Sequence, residues 1–130
     1  MCRSTADIAA ERASTTALAQ YDDDWLQRSR LLVGDSGLAR LQAANVLVVG
    51  LGGVGGFCAE FLCRAGVGAM TIVDGDEVDP TNRNRQLLAL RSTQAMPKSR
   101  VLAERLLDIN PDLKLTEVQV ICALERVQRI

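Results

Sequence analysis

An α/β fold, in which a βαβαβ unit forms one half of a mostly parallel sheet behind short N-terminal helices, is predicted by three features of this 130-residue sequence. A continuous apolar run, Val46-Leu-Val-Val49, ends in the glycine-rich turn Gly50-Leu-Gly52-Gly53-Val-Gly55. A second apolar run closes on Asp74, nineteen residues past Gly55. Helical periodicity lies between these runs and returns after the second, and such alternation is the pattern of parallel strands joined by crossover helices.

Each element has its own signal. Residues 1–20, rich in Ala, Ser and Thr, are expected to be a poorly ordered tail; the composition is that of a mitochondrial transit peptide, but Asp7 and Glu11 count against one. Residues 21–44 read as a helical segment. Asp22, Asp23 and Asp24 suit the N-terminal end of a short helix, and 37–44 forms a second one with Leu38 and Leu41 three apart. The main domain, 45–130, opens with a strand at 45–50, an apolar run of the kind buried on both faces of a parallel sheet. A helix over 54–65 follows, ended by Gly66 as its C′ residue. The second strand is 69–74. A helix over 98–110 carries Leu102, Leu106 and Ile109 on one face and is stopped by Asn110-Pro111. The third strand, 113–120, has an apolar alternation that changes phase at Thr116 and Glu117.

The glycine turn gives the fold its chemistry. Glycines permit a tight strand-to-helix turn and let backbone N–H groups approach phosphates at a helix N-terminus, while a carboxylate at the distance of Asp74 reaches a ribose hydroxyl. These are the marks of a Rossmann-like nucleotide-binding unit. Composition narrows the chemistry further. A net charge of −1 gives no global attraction to nucleic acid or anionic membrane. No window approaches the apolar length of a membrane span. The absence of histidine removes a histidine base, a Ser-His-Asp or Cys-His mechanism and a histidine metal site. Four cysteines, at 2, 58, 63 and 122, form no C-x-x-C pair, which argues for a reducing compartment and against disulfides or structural zinc; Cys58 and Cys63 read as small core side chains of the first crossover helix.

Between the second strand and the last helix lie twenty-three residues, 75–97, where a plain dinucleotide-binding fold has a short loop. Their content favours function. Asp74, Asp76, Glu77 and Asp79 form an acidic cluster, and Arg83, Arg85, Arg91, Lys98, Arg100 and Arg105 follow with Glu104 as the single acid among them. After a nucleotide-binding turn, this reversal reads as ribose on one side and phosphate on the other.

Together, Gly50-Leu-Gly-Gly-Val-Gly55, Asp74-Gly-Asp76, Asn82-Arg-Asn-Arg85-Gln86 and Pro97-Lys98 resemble, in order and spacing, the adenylation domain shared by ubiquitin-activating enzymes and their bacterial thiamine- and molybdopterin-pathway relatives. Within that superfamily, Arg85-Gln-Leu-Leu-Ala-Leu-Arg-Ser-Thr93 and Glu104-Arg-Leu-Leu-Asp-Ile-Asn-Pro-Asp112 look most like the tRNA threonylcarbamoyladenosine dehydratases; the resemblance covers about residues 25–120. It implies an ATP-dependent enzyme that adenylates the carboxylate of the threonylcarbamoyl group on tRNA, releases pyrophosphate and lets the modification close into a ring. It also implies residue roles. Gly50, Gly52, Gly53 and Gly55 would present N–H groups to the nucleotide, Asp74 would take the ribose, and Asp76 would act near Mg²⁺ or an arginine. Asn82, Arg85 and Lys98 would hold the phosphates, and Arg28 would reach the site of the partner subunit in a homodimer, with Arg30 as competing candidate. The sequence departs from the family pattern in Ala95-Met96, where a glycine usually precedes Pro97-Lys98, and in Leu88, where many relatives have histidine.

In a doubly wound sheet the first strand is central and pairs on its other side with a fourth. The sequence stops at Ile130, so the expectation is a C-terminally truncated half-sheet with an exposed apolar edge, over which 121–130 forms at most a short amphipathic helix. Three other functions share these residues: activation of a ubiquitin-like or sulfur-carrier protein C-terminus, a non-catalytic nucleotide-binding or dimerisation module, and an NAD-dependent oxidoreductase. The last leaves 82–86 and Lys98 without a role. The expected location is the cytoplasm, with mitochondrial association as the alternative.

Overall fold

The computed structural model describes residues 2–4 and 24–120; residue 1 and the segments 5–23 and 121–130, with the expectations of a tail and of a terminal helix that fall on them, lie outside the described residues. Strand β1 (Cys2–Ser4) is followed by helix α1 (Gln27–Ala43), strand β2 (Asn45–Val49), helix α2 (Gly55–Arg64), strand β3 (Ala69–Val73), a 3₁₀ turn (Pro80–Asn84), helix α3 (Lys98–Ile109) and strand β4 (Lys114–Val118). The sheet order is β1-β4-β3-β2. β2, β3 and β4 are parallel, and β1 adds an antiparallel edge through Cys2–Val118 to Ser4–Thr116. This edge strand falls in the stretch read as an unordered tail; a three-residue strand with ordinary side chains has no periodicity to betray it.

The two expected N-terminal helices appear as one element with a break. Gly34 (φ 72°, ψ 172°) interrupts α1 in a conformation that few residues other than glycine adopt. Leu26 and Leu38 from either side of the break are buried, and both approach Gly66. The end of α2 is a Schellman motif, with Gly66 N–H bonded to the Cys63 carbonyl (3.0 Å) and Val67 N–H to that of Leu62 (3.3 Å), so Gly66 (φ 92°) is the C′ residue its sequence position suggests.

Helices α2 and α3 cover one face of the sheet. Register places Val46, Met70 and Leu115 in one row and Val48, Ile72 and Glu117 in the next, all on that face. With Leu51, Ala59, Cys63, Leu88, Leu102, Leu106 and Leu113 these rows form the core. The other face carries Leu47 (60% exposed) and Val49 (55% exposed). Burial on both faces, expected for this run, is therefore half met: β2 pairs only with β3 among the described residues and is covered on one side.

Two expectations are corrected by packing. Cys63 is buried and donates to the Leu106 carbonyl (3.5 Å), and burial pushes its thiol up to about 11, but Cys58 is exposed rather than in the core. The phase of β4 does not change: Leu113, Leu115 and Glu117 all point into the core, and Glu117 keeps the alternation as a buried carboxylate.

The long segment 75–97 is structured. Val78 and Met96 are bonded through N–H and carbonyl (2.9 Å), Ala95 N–H returns to the Val78 carbonyl (3.0 Å), and Val78, Leu88 and Ala89 are buried. Its ends meet at the Glu77–Pro97 bridge. The excursion is thus stapled at its neck and anchored by apolar side chains, which is why its length is compatible with a compact fold.

Candidate functional site at the carboxyl ends of the strands

Strand β2 ends where Gly50 N–H bonds the Val73 carbonyl (2.8 Å), and Gly50 then turns the chain with φ 83°. The turn closes tightly: a Cβ on Gly55 would lie 1.7 Å from the Gly50 carbonyl oxygen, so no side chain fits. Leu51, inside the glycine run, is fully buried and pins the turn to the core. Helix α2 starts at Gly55 with no side-chain cap, and in its first turn Gly56 N–H bonds the Gly52 carbonyl (3.2 Å).

Asp74 organises this end. One carboxylate oxygen accepts from Leu51 N–H (2.6 Å) and the other from Asp76 N–H (2.8 Å), while Asp74 N–H bonds the Val118 carbonyl (3.2 Å). The residue therefore ties the glycine turn, the following loop and β4 together. Each of its oxygens retains a second lone pair for a hydroxyl.

Asp76 and Lys98 form the next layer. Lys98 N–H bonds the Asp76 carbonyl (2.9 Å), and its Nζ lies 3.0 Å from Asp76 Oδ2. The Lys98 side chain is 7% exposed and the Asp76 side chain 67%, so the ammonium is held under a carboxylate that faces solvent. Asn82 is buried in the 3₁₀ turn, where it accepts from Asp79 N–H (3.2 Å) while Asp79 accepts from Thr81 N–H (2.8 Å). The Thr81 bonds hold the Asp79 carboxyl below the usual carboxylate range. Arg85 follows that turn and donates to Asn84 Oδ1 (2.9 Å). Its backbone oxygen lies 3.6 Å from where a Gly53 Cβ would stand, and Gln86 Nε2 lies 3.7 Å from that of Gly52, so the 82–86 segment runs beside the glycine turn.

The structure thus gathers Gly50, Gly52, Gly53, Gly55, Asp74, Asp76, Asn82, Arg85 and Lys98 at one end of the sheet. Arg28 is not among them. It is exposed on the first turn of α1, beside Leu26, which packs on Gly66 at the far end of α2. Arg30 is engaged with Asp24 (2.7 Å) and Asp35 (3.2 Å). Two of the basic residues grouped with the phosphate side also go elsewhere: Arg100 pairs with Glu104 on α3 (2.6 Å), and Arg105 pairs with Glu60 of α2. The acidic cluster and the strand alternation gave Asp79 and Glu117 no individual role, yet Asp79 caps the 3₁₀ turn and Glu117 accepts from Ser99. The pattern Asp79-Pro-Thr-Asn82, a capping residue with proline in the first turn, was the legible sign of the former.

The ThiF family profile matches residues 26–130. The chain belongs to the ThiF family. Among its ThiF relatives, the tRNA threonylcarbamoyladenosine dehydratase of Bacillus subtilis is 46% identical over 93 residues, which is 72% of this chain and 37% of that protein. The sulfur carrier protein ThiS adenylyltransferase of Escherichia coli is 38% identical over 102 residues, 75% of this chain and 41% of that protein. The crystal structure of Escherichia coli tRNA N6-threonylcarbamoyladenosine dehydratase in complex with ATP is similar with a TM-score of 0.76 and 41% identity, covering 82% of this chain and 45% of that one. The chain spans less than half the length of these relatives.

Proposed function

We propose that this chain binds ATP at the carboxyl ends of β2, β3 and β4 and contributes the nucleotide half of a site that adenylates a carboxylate, that of the threonylcarbamoyl group on tRNA in the first instance. The observation that carries this reading is the convergence of the uncapped α2 N-terminus, the Asp74 ribose position and the cations Arg85 and Lys98 around one turn. Similarity to a dehydratase solved with ATP supports it.

The division of labour follows from charge. Backbone N–H groups of Gly52, Gly53 and Gly55 face the phosphates, and Asp74 keeps acceptor capacity for ribose hydroxyls. Adenylation builds negative charge at the α-phosphorus and on departing pyrophosphate, where Arg85, Asn82 and Lys98 offer fixed donors. Lys98 must exchange its Asp76 contact for phosphate. Mg²⁺ would arrive with the nucleotide: Asp76 offers it one exposed carboxylate, and an ion carried on phosphates needs only one or two from the protein. Because Arg28 sits at the opposite end of α2, it serves a nucleotide only in a second copy of the chain, so homodimerisation belongs to this proposal. So does a cytoplasmic location. Among the described residues no helix is long and apolar enough to cross a membrane.

A second reading, activation of a sulfur-carrier protein C-terminus, uses the same nucleotide site and is favoured by the likeness to the ThiS adenylyltransferase. ATP–pyrophosphate exchange by this chain with threonylcarbamoylated tRNA, with a carrier protein and with neither separates the two. The proposal expects tRNA-dependent exchange that Arg85→Ala or Lys98→Ala abolishes. Carrier-dependent exchange selects the second reading, ATP binding without exchange leaves a non-catalytic module, and a preference for NAD over ATP refutes both.

A further inference from the structure

The core-facing side of β4 contains a group that stability alone does not require. Glu117 is 3% exposed in a row with Val48 and Ile72, where an apolar side chain would fit without the cost of burying a carboxylate. Its Oε1 accepts from Ser99 Oγ (2.9 Å), and Ser99, fully buried, is the second residue of α3, directly after Lys98. A carboxylate under the first turn of a helix is favoured by the helix dipole and fixes that turn to the strand below.

The bond closes a ring. From Lys98 the chain of contacts runs to Asp76 through Nζ and through the backbone, from Asp76 N–H to the Asp74 carboxylate, from Asp74 N–H to the Val118 carbonyl, and from neighbouring Glu117 back to Ser99. Every link except Glu117–Ser99 involves the backbone or a residue already placed in the site. We propose that Glu117 is a positioning residue: through Ser99 it holds the first turn of α3 so that the Lys98 ammonium stays inside the site. The phosphate-binding part of this role rests on the function proposed above; the fixing of Lys98 does not.

The sequence has two lysines, Lys98 and the exposed Lys114, so acylation with a water-soluble acetylating reagent, read by mass spectrometry, reports Lys98 against an internal reference. In the full chain Lys98 is expected to react much more slowly than Lys114. Glu117→Leu fills the space but removes the acceptor, and Ser99→Ala removes the donor; each should raise the Lys98-to-Lys114 ratio about fivefold, the scale of one ordinary hydrogen bond. Glu117→Gln keeps an acceptor oxygen and should stay near wild type. ATP affinity should fall by a similar factor in Glu117→Leu and Ser99→Ala, with no further fall when either is added to Lys98→Ala. A merely structural role would lower the melting temperature and leave the lysine ratio unchanged, and that result overturns the proposal, as does an equal loss of ATP affinity with and without Lys98. Should Glu117→Leu not fold, Ser99→Ala and Glu117→Gln decide the matter. If wild type does not bind ATP, the proposed function fails while the labelling ratio still tests the positioning role.

Discussion

At the carboxyl ends of the strands a Cβ on Gly55 would lie 1.7 Å from the Gly50 carbonyl oxygen, and at the opposite end a Cβ on Gly68 would lie 1.8 Å from that of Gln42. The steric demand for glycine is the same at both. What surrounds them differs. Around Gly68 the neighbours are α1 and the start of β3, where Leu26 and Leu38 close over Gly66 and backbone bonds run from Gly68 N–H to the Leu41 carbonyl (3.3 Å) and from Ala69 N–H to that of Ala44 (3.1 Å). Around Gly55 stand Asp74, Asp76, Arg85 and Lys98. A required glycine therefore marks close backbone approach and nothing more; the charged groups beside it decide whether the approach serves packing or a ligand.

Replacing either glycine tests this most severely. Gly55→Ala and Gly68→Ala are each expected to lose more than about 3 kcal/mol in urea unfolding, since backbone must move to admit a methyl group. Only Gly55→Ala should abolish ATP binding in whatever fraction remains folded. Equal loss of binding by Gly68→Ala, measured at a temperature where both variants are folded, would erase the distinction between the ends.

Midway between the ends, Glu60 joins α2 to α3 through Arg105 and also binds Arg64 one turn on in α2, and these bonds, Arg105 first, hold its carboxyl below the usual range against the opposing effect of burial. Glu60→Gln is expected to destabilise the fold by about 1–3 kcal/mol at pH 7. Because the folded-state value is depressed, this stabilisation is fully present above about pH 4.5 and is lost as pH falls through the folded-state value. Urea midpoints of wild type and variant should accordingly converge in acid. A constant difference down to pH 3 would show that the pair does not set the acid limit.

Lys98→Ala should weaken ATP binding about tenfold, the range of a charge-assisted contact, with a small change in melting temperature, because the ammonium sits under Asp76 at the carboxyl ends of the strands and not in the apolar core. The smallest effect belongs to Ala95. It adopts φ 63°, a left-handed conformation that favours glycine, so Ala95→Gly should raise stability by about 1 kcal/mol in urea unfolding. A loss instead would mean that the turn at 95 is not strained by its side chain.

Much of this was legible in the sequence because the period of the pattern and the spacing of glycines are local properties. The β2 run, the α2 helix with its Gly66 terminus and the Asp74 distance all describe contacts that follow from adjacent residues. What was not legible depends on partners far apart in the chain. Glu117 looked like a break in alternation because its partner Ser99 is eighteen residues away and on another element. Cys58 looked like core because the helix is apolar nearly all round, with Val54, Phe57 and Phe61 exposed alongside it. Arg100 and Arg105 looked like phosphate ligands because charge counts do not say which face of α3 each residue occupies.

Amide hydrogen exchange with and without ATP tests the central claim most directly. Saturating ATP is predicted to slow exchange at 51–56 and 74–76 and to leave 38–43 and 66–68 unchanged. Protection at the α1 end, or no protection at the glycine turn under saturation, would contradict it.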